Sequence, residues 1–331
     1  MRSHPDACPG AVELHQAADG GLARIRVPGG TLSAAQWDVV RVAAAELGNG
    51  SVELTSRANL QIRGLADGVE LGARLAAAGL LPSATHERMR NIIAAPLEDN
   101  QELVDEIDAA LCADPLLAAL PGRFLLTVGH SVSGLGGDFG LVSDADGGFV
   151  LLLAGRDTGV RVTDPVAAVL SAARLFQRLR GAAWRLSEVD DGVRKITAHF
   201  GASDAPRVTP AVTPVAPSPL TPGVPLGRLD AAQLPGVALR LTPWRSLVVP
   251  AGTDTAGLIT DPASPWHGVS ACTGRPGCAK SLSDVRADAR AWLGTPHTLP
   301  VHWSGCARRC GRPAGEVIEF VATGDGYEEI R

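Results

Sequence analysis

Apolar and polar positions along the chain alternate with two periodicities, that of a strand and that of a helix. A first strand is expected at 22–27, where a Pro-Gly-Gly turn ends it. A helix is then expected to begin at Ser33, because Gln36 three residues later completes a capping box, and to run to about residue 47. The chain therefore opens as a small unit of strands and helices.

The rest of the chain continues this mixture. The pattern predicts further helices near 68–78, 100–111, 165–180 and 280–293. It predicts further strands near 51–55, 58–63, 123–129, 149–154, 194–200 and 317–322. We therefore expect an α+β fold and not a doubly wound parallel sheet.

Short segments of the first half recur in the same order in the second half. The matching segments are 32–36 and 229–233, 51–55 and 237–242, 78–80 and 256–258, 120–121 and 299–300, and 146–147 and 325–326. These echoes indicate an internal duplication, which predicts pseudo-twofold symmetry with a site between the halves. The second half has lost most of the first helix, because Pro235 follows Gln233 almost at once.

A proline-rich stretch separates the two halves. Residues 203–226 contain seven prolines, a density that excludes a helix or an interior strand. We expect an extended linker there.

Charge and hydropathy exclude two classes of function. The formal net charge is −5, so the chain has no overall basic field for nucleic acid. No apolar run approaches the roughly 20 residues of a transmembrane helix, and no apolar signal core follows the first residues. We therefore expect a cytoplasmic protein whose thiols stay reduced.

Four cysteines near the C-terminus form two close pairs, Cys272-x5-Cys278 and Cys306-x3-Cys310. Two such pairs can present four thiolates to one metal centre, and reduced thiols favour metal over disulfides. The spacing suits a cubane [4Fe-4S] cluster better than structural zinc, while zinc and two disulfides stay as alternatives. Cys8 and Cys112 are isolated, and Cys112 borders an apolar helical stripe that is typical of a core.

A polar row runs along the strand expected at 58–63. Its members on one face are Arg57, Asn59, Gln61 and Arg63. Such a row is either the solvated face of an antiparallel sheet or the floor under a large anionic ligand, since arginines and amides bind carboxylates well. The other isolated candidates are Arg24, Arg26, Arg90, Asn91 and Arg123.

The glycine-rich stretch 134–140 fails the pattern of a dinucleotide-binding loop, because Phe139 stands where a third glycine or alanine is required. It also lacks the Lys-Ser/Thr ending of a phosphate-binding loop. We expect a tight turn there. With no nicotinamide or flavin domain visible, electrons must come from an external donor.

Taken together, these residues resemble the siroheme-dependent nitrite and sulfite reductases and their relatives. The blocks that carry the resemblance are 24–30, 55–64, Arg90-Asn91, and the four cysteines with the ending Cys310-Gly311-Arg312-Pro313. In that family the four cysteines hold a [4Fe-4S] cluster, and the last one also bridges to the iron of a siroheme. The resemblance implies duplicated α+β halves with pseudo-twofold symmetry, which cradle a tetrapyrrole.

The resemblance also divides the chain into parts. The parts are a first ferredoxin-like half-domain at 1–82, a first nitrite/sulfite reductase-like α/β domain without a cluster at 83–202, the linker at 203–226, a shortened second ferredoxin-like half-domain at 227–262, and a [4Fe-4S]-binding α/β domain at 263–331.

Within this family the chain looks most like the oxygen-dependent branch of aerobic cobalamin biosynthesis. The opening segment Cys8-Pro9-Gly10 and residues 19–26 carry that likeness. The reductases typically place two lysines after a Leu-Pro turn to bind their inorganic anion, whereas here Arg123 keeps one charge and Leu125 replaces the other. This branch hydroxylates precorrin-3A at C20 with O2 and closes a γ-lactone, so the resemblance implies a monooxygenase.

The resemblance also implies roles for residues and partners. The implied catalytic residues are Arg26, Arg90 and Arg123. The implied tetrapyrrole-binding residues are Arg24, Arg57, Asn59, Gln61, Arg63 and Asn91, and the implied [4Fe-4S] ligands are Cys272, Cys278, Cys306 and Cys310. A mononuclear non-haem iron would activate O2; its ligands cannot be assigned, and His130 is the histidine to test first. A ferredoxin or a flavoprotein reductase would donate electrons.

Two other functions stay open at this point. The first is a siroheme-dependent nitrite or sulfite reductase, which would carry bound siroheme. The second is a zinc-binding module without enzymatic activity, because thiolate sites accept either metal.

Overall fold

The computed structural model describes residues 8–295, 297–313 and 315–331, and in this part of the chain it contains six α-helices and seventeen strands. The first seven residues of the predicted first half-domain lie outside the described residues. The strands of the first half are β1 (His15–Ala17), β2 (Gly20–Ile25), β3 (Thr31–Leu32), β4 (Ser51–Leu54), β5 (Leu60–Leu65), β6 (Ile92–Ala94), β7 (Leu126–Val128), β8 (Phe139–Ser143), β9 (Phe149–Leu153) and β10 (Arg156–Val162). The strands of the second half are β11 (Arg228–Asp230), β12 (Leu239–Leu241), β13 (Leu247–Val248), β14 (Val269–Ala271), β15 (Val301–Ser304), β16 (Ile318–Ala322) and β17 (Tyr327–Ile330). The helices are α1 (Ala34–Leu47), α2 (Val69–Ala77), α3 (Gln101–Ala113), α4 (Pro165–Leu179), α5 (Gly192–Phe200) and α6 (Val285–Trp292).

The first sheet has the strand order β1-β2-β5-β4-β11 and is antiparallel. Helices α1 and α2 pack against it and bury Trp37 and Leu71 with Leu60 of β5. The predicted capping box at the start of α1 is confirmed, because the Gln36 N–H donates to the Ser33 hydroxyl and the Ser33 N–H donates to the Gln36 side chain. Local sequence thus sets this helix, and burial of its apolar face holds it on the sheet.

The second sheet has the order β10-β9-β8-β7-β6, with β6, β7 and β8 parallel. Helices α3, α4 and α5 share its apolar core. The rings of Phe124, Phe139 and Phe176 meet at the centre of this core, with centroids 5.7–6.4 Å apart. The second sheet is thus held by a closely packed aromatic core.

Residues 194–200, predicted as a strand, belong to helix α5, so that prediction was wrong. Val193, Ile196 and Phe200 are three and four residues apart, and they pack together on the core of the second sheet. This is the spacing of a helical face. The β-branched residues in the segment favour a strand locally, but burial of the helical face outweighs that preference.

The two halves exchange short strands reciprocally, which agrees with the predicted pseudo-twofold symmetry. Strand β3 of the first half pairs with β12 of the second half, and β11 of the second half pairs with β4 of the first half. Each exchanged strand follows a single 3-10 turn, Pro28–Gly30 or Pro225–Gly227. Gly30 has φ 80°, and a Cβ there would stand 2.4 Å from the Leu241 carbonyl oxygen, so only glycine fits this close approach of the halves.

The third sheet is the small sheet β13-β12-β3, and the fourth, β14-β15-β16-β17, begins with three parallel strands and ends with an antiparallel one. Trp303 of β15 stacks on Phe320 of β16 with ring centroids 4.4 Å apart, and Tyr327 contacts the same indole edge-on. This aromatic core supports the loops that carry the four C-terminal cysteines.

The proline-rich stretch runs in extended form along both halves. Residues 203–219, all of which the structure describes, contain no helix or strand. The Gly134 N–H donates to the Ala211 carbonyl at 2.7 Å, which ties the stretch to the first half. Nearer its end, the Val249 N–H donates to the Leu220 carbonyl at 2.9 Å, so the chain has joined the second half there. No helix in the described part of the chain is long and apolar enough to cross a membrane.

Candidate functional site

A line of polar side chains crosses three strands of the first sheet. Arg24 of β2 stands opposite Gln61 of β5, and its Nε donates to Gln61 Oε1 at 3.1 Å. The Nε2 atom of Gln61 donates onward to Glu53 of β4 at 3.3 Å. The strand register therefore places these three residues in one hydrogen-bonded row.

Arg26 lies buried just beyond the end of β2. Its Nε donates to the Arg88 carbonyl at 3.1 Å, whereas its buried Nη1 has no hydrogen-bond partner among the described residues. Burial, followed by the charge of Arg24, lowers the pKa of Arg26 to about 9. A guanidinium gives up its proton very reluctantly. Binding of an anion would therefore offset the cost of burying the Arg26 charge more readily than loss of a proton would.

Arg57 stands in a tight turn between β4 and β5 and not on a strand, which corrects the predicted polar face. Ala58 has φ 52°, a left-handed conformation that breaks the alternation of side chains before β5 begins. The Arg57 Nη1 donates to the Gly122 carbonyl at 3.3 Å. Burial, and then the charge of Arg185, lowers the pKa of Arg57 to about 10, and Arg24 acts in the same direction. We call Arg24, Arg26 and Arg57 the arginine cluster.

Asn59 and Asn91 fix this turn against the second sheet. Asn59 Oδ1 accepts the Val27 N–H at 2.9 Å, and its Nδ2 donates to Asn91 Oδ1 at 3.1 Å. Asn91 Nδ2 donates to the Gly122 carbonyl at 3.0 Å. Both buried amides thus position the turn, and a direct contact of either with a ligand stays a prediction.

Two of the predicted arginines are held in ion pairs. Arg63 donates through Nε and Nη2 to both carboxylate oxygens of Asp19 at 2.9 Å, and through Nη2 to the Gly277 carbonyl at 2.7 Å. Arg90 donates from Nε to Asp108 at 2.8 Å, and this pair is buried. These contacts account for both guanidinium groups within the protein, so their roles toward a ligand stay predictions.

Arg123 and His130 are exposed. The guanidinium carbon of Arg123 lies 5.0 Å from the centre of the Trp184 ring, which is a cation–π distance. His130 begins a 3-10 helix, His130–Leu135, and its backbone N–H donates to Glu98 at 3.1 Å. The roles of Arg123 in catalysis and of His130 at an iron therefore stay predictions.

Two residues outside the predicted site residues act on the arginine cluster. Arg185 donates from Nε to Asp138 at 2.9 Å, and its charge acts on Arg57. Cys8 acts on the pKa of both Arg26 and Arg57, so its thiol lies close to them. The block that opens the chain contained a signal for Cys8, whereas no spacing in the sequence pointed to Arg185.

An apolar patch adjoins the arginine cluster. Its members are Ile93, Ala95, Leu125, Val132, Leu135 and Trp244. Leu125 is 4% exposed, and its N–H donates to Asp138 at 2.9 Å. Arg57 contacts Gly122 three residues before Leu125, so the contact of the cluster and a buried apolar side chain lie on one segment.

The four C-terminal cysteines lie beyond the carboxyl ends of the adjacent parallel strands β14 and β15. Cys272 follows β14 directly, and Cys306 follows β15 by two residues. The Gly305 N–H donates to Cys272 Sγ at 3.2 Å. Burial raises the pKa of Cys272, and the charges of Cys310 and Cys278 raise it further. These three thiols therefore interact electrostatically. The parallel register therefore brings the two sequence pairs to one end of the sheet.

This donor set fits an iron–sulfur cluster. Its fit rests on the type and number of the donors, because no three His, Cys, Asp or Glu side chains among the described residues are gathered closely enough to hold a metal ion. Four cysteine thiolates are the ligand set of a [4Fe-4S] cluster, which distributes them over several irons.

Glu319 anchors the loop that carries Cys306 and Cys310. Its carboxylate, on β16 and 1% exposed, accepts hydrogen bonds from the Nε atoms of Arg309 and Arg312 at 2.6 Å each. The hydrogen bond from Arg309 lowers the pKa of Glu319. The two arginines flank Cys310, so one buried charge fixes the loop on both sides of that cysteine.

Two surface cavities lie elsewhere. One is lined by residues such as Arg156, Leu186 and Arg194, and the other by residues such as Leu234, Pro250 and Leu258. Neither contains a predicted site residue, so the candidate site rests on the arginine cluster, the apolar patch and the cysteines.

Comparison with known proteins supports the predicted resemblance. Residues 15–69 match the nitrite/sulfite reductase ferredoxin-like half domain. A precorrin-3B synthase from Sinorhizobium sp. is 26% identical over 381 aligned positions, which cover 97% of this chain and 81% of the relative. The NirA protein of Mycobacterium tuberculosis has a similar structure with a TM-score of 0.71, at 21% identity, over 93% of this chain and 73% of NirA. The chain thus combines a nitrite/sulfite reductase ferredoxin-like half domain with the α+β fold of NirA, and it is similar over nearly its whole length to a precorrin-3B synthase.

Proposed function

We propose that the protein is a precorrin-3B synthase-like monooxygenase of cobalamin biosynthesis, which hydroxylates precorrin-3A at C20 with O2 and closes a γ-lactone. The observation that carries the proposal is the arginine cluster. Arg26 is buried and Arg57 is half-buried, and neither has a carboxylate hydrogen-bond partner among the described residues. Buried cations of this kind are suited to a ligand with several carboxylates, such as precorrin-3A with its acetate and propionate arms.

The residues of the site would bind and orient this substrate. Arg57 and Arg26 would each take a carboxylate in a two-point hydrogen bond, which fixes direction as well as affinity. The apolar patch would exclude water beside the reduced ring, because Leu125 and its neighbours are buried and carry no charge. A ring held in one position would then expose one carbon, C20, to hydroxylation.

The cysteines would supply electrons from the other side of the site. A [4Fe-4S] cluster held by Cys272, Cys278, Cys306 and Cys310 would deliver them one at a time, and a ferredoxin or flavoprotein reductase outside the chain would provide them. Arg63 connects the two regions, because it bonds both Asp19 of the first half and Gly277 between the first two cysteines. A mononuclear iron that activates O2 belongs to this proposal without assigned ligands.

Leu125 favours this function over a siroheme-dependent nitrite or sulfite reductase. Those enzymes bind their inorganic anion with closely spaced cations. In this chain Leu125 occupies the position of one of those cations. Its burial in the apolar patch and the hydrogen bond from its N–H to Asp138 fix the segment in that state.

The test is conversion of precorrin-3A by the protein purified without air. With a chemical reductant and O2, we expect a product heavier by one oxygen atom, and the incorporated atom should come from 18O2. The absorption and EPR spectra should show a [4Fe-4S] cluster without siroheme bands. Bound siroheme together with sulfite or nitrite reduction would establish the alternative, and unchanged precorrin-3A would refute the proposal.

Arg57→Ala is expected to weaken precorrin-3A binding at least about tenfold, since a hydrogen bond to a charged group contributes about 1.5–3 kcal/mol. The EPR spectrum of the iron–sulfur cluster should not change, because Arg57 contacts Gly122 and not the cysteine loops. Affinity can be measured by tryptophan fluorescence without O2. Arg178→Ala, at an exposed position of α4, is the matched control, and equal affinity of the two variants would contradict the role of Arg57.

A further inference from the structure

The two halves contain the same hydrogen-bonded turn. In the first turn, residues 55–59, Thr55 Oγ1 accepts the N–H groups of Arg57 and Asn59 at 3.3 and 3.1 Å. In the second turn, residues 242–246, Thr242 Oγ1 accepts the N–H groups of Trp244 and Ser246 at 3.2 and 3.3 Å. Both turns connect two antiparallel strands, β4 with β5 and β12 with β13.

The backbone of the two turns agrees in its remaining details. The Thr55 N–H donates to the Asn59 carbonyl at 2.9 Å, and the Thr242 N–H donates to the Ser246 carbonyl at 3.0 Å. The third residue after each threonine has a positive φ, 52° at Ala58 and 57° at Arg245. A non-glycine residue in this conformation is uncommon, so its recurrence marks the turns as equivalent parts of the duplication.

The first turn carries Arg57 of the arginine cluster, whereas the second turn presents Trp244 and Arg245. Trp244 packs against the apolar patch that includes Leu125. Arg57 contacts Gly122 of the same segment. The first turn therefore contacts Gly122, and the second packs on the apolar patch to which Leu125 belongs, so the two turns reach one region from the two halves of the molecule.

Arg245 extends from the second turn toward the cysteine loop. Its Nη2 lies 3.3 Å from where a Cβ on Gly311 would stand, directly after Cys310. Burial lowers the pKa of Arg245. Glu53, the carboxylate whose charge acts on Arg245, forms its ion pair with Arg286 at 2.7 Å. Among the described residues, the Arg245 guanidinium has no hydrogen-bond partner, so it is available to an anion.

We propose that residues 242–246 form a second substrate-binding turn, in which Arg245 binds a carboxylate arm on the side of the cysteines and Trp244 packs on the face of the ring. The proposal rests on the proposed function, because it takes a tetrapyrrole polycarboxylate as the ligand. Such a ring carries acetate and propionate arms around its rim, and the arginine cluster lies on one side only. A second cation opposite it would fix the ring in its plane, and an indole would supply a flat apolar contact.

The test is anaerobic binding of precorrin-3A, in which absence of O2 prevents its consumption. Arg245→Gln should weaken binding about tenfold, and Arg245→Lys should recover part of that loss, because it keeps the charge without the two-point geometry. Trp244→Phe should bind about as tightly as wild type but show less quenching of tryptophan fluorescence, since the quenched indole is gone. Arg178→Gln is the control and should match wild type.

The outcomes separate this inference from the proposed function. If wild type binds precorrin-3A and Arg245→Gln binds it equally well, the second turn is not a binding turn and the proposed function stands. If wild type does not bind, both fail. If Arg245→Gln binds weakly but also loses iron or melts at a lower temperature, and Arg245→Lys restores nothing, Arg245 has only a structural role and the inference is overturned.

Discussion

Replacing Cys306 by Ala is expected to reduce the iron and acid-labile sulfide content to less than about a tenth of wild type and to abolish turnover. Even loss of a group that only supports a metal ligand typically costs 10–100-fold in affinity, and removal of a thiolate ligand costs at least as much. Cys306 follows β15 by two residues, and the preceding Gly305 N–H donates to Cys272 Sγ in the loop after the adjacent strand β14. A methyl group cannot ligate iron, while the strand itself should stay folded on its aromatic core.

The control for this substitution is Cys112→Ala. Cys112 lies on α3, far from the other thiols along the chain, and burial raises its pKa to about 11, so it is a neutral thiol at physiological pH. We expect wild-type iron content in this variant. Normal iron content in Cys306→Ala would refute the ligand assignment, and one zinc with no iron in the wild type would identify a zinc-binding module instead.

The parts of the fold that depend on neighbouring residues were predictable from the sequence. The capping box of Ser33 and Gln36 fixed the start of α1, because both hydrogen bonds join residues three apart. The echo between 51–55 and 237–242 located the duplication and aligned Thr55 with Thr242. In the structure these two threonines hold equivalent turns. The resemblance drawn from residues 24–30 and 55–64, Arg90-Asn91 and the four cysteines is confirmed.

The parts that depend on distant residues were not predictable. Alternation placed Arg57 and Arg63 on one face of one strand, yet Ala58 is left-handed, and Arg63 is held by Asp19. Asp19 is 44 residues away, and only the folded sheet brings the two together. Helix α5 differed for a related reason, since its apolar spacing had meaning only against the core of the second sheet.

The second turn was overlooked because its chemistry differs from that of its counterpart. The echo compared residue types, and Trp244 stands in place of Arg57. A tryptophan in a loop is more often part of a core than of a binding site. Only two observations give the turn its proposed role. Trp244 packs on the apolar patch, and Arg245, beside Gly311, has no hydrogen-bond partner in the part of the chain that the structure describes. A duplicated fold can thus keep a turn and change what it presents.

Glu319→Gln is expected to lower the free energy of unfolding by about 3 kcal/mol and to reduce iron content severalfold. The carboxylate is buried, and it accepts charge-assisted hydrogen bonds from Arg309 and Arg312. Each such bond contributes about 1.5–3 kcal/mol. The full sum is not lost, because both arginines are more than a third exposed and regain water. Urea unfolding and iron analysis measure the two effects.

The effect on iron distinguishes anchoring of the cysteine loop from general stability. Arg309 and Arg312 flank Cys310, whereas Cys272 and Cys278 are held by other contacts, so the variant should loosen one pair of ligands and broaden the EPR spectrum of the reduced cluster. Glu319→Asp should recover part of the iron content, since it keeps the charge. Glu316→Gln, at an exposed position two residues before β16, is the matched control and should behave as wild type. If Glu319→Gln keeps full iron content and an unchanged spectrum despite its lower stability, the loop holds its geometry without Glu319, and the anchoring role is excluded.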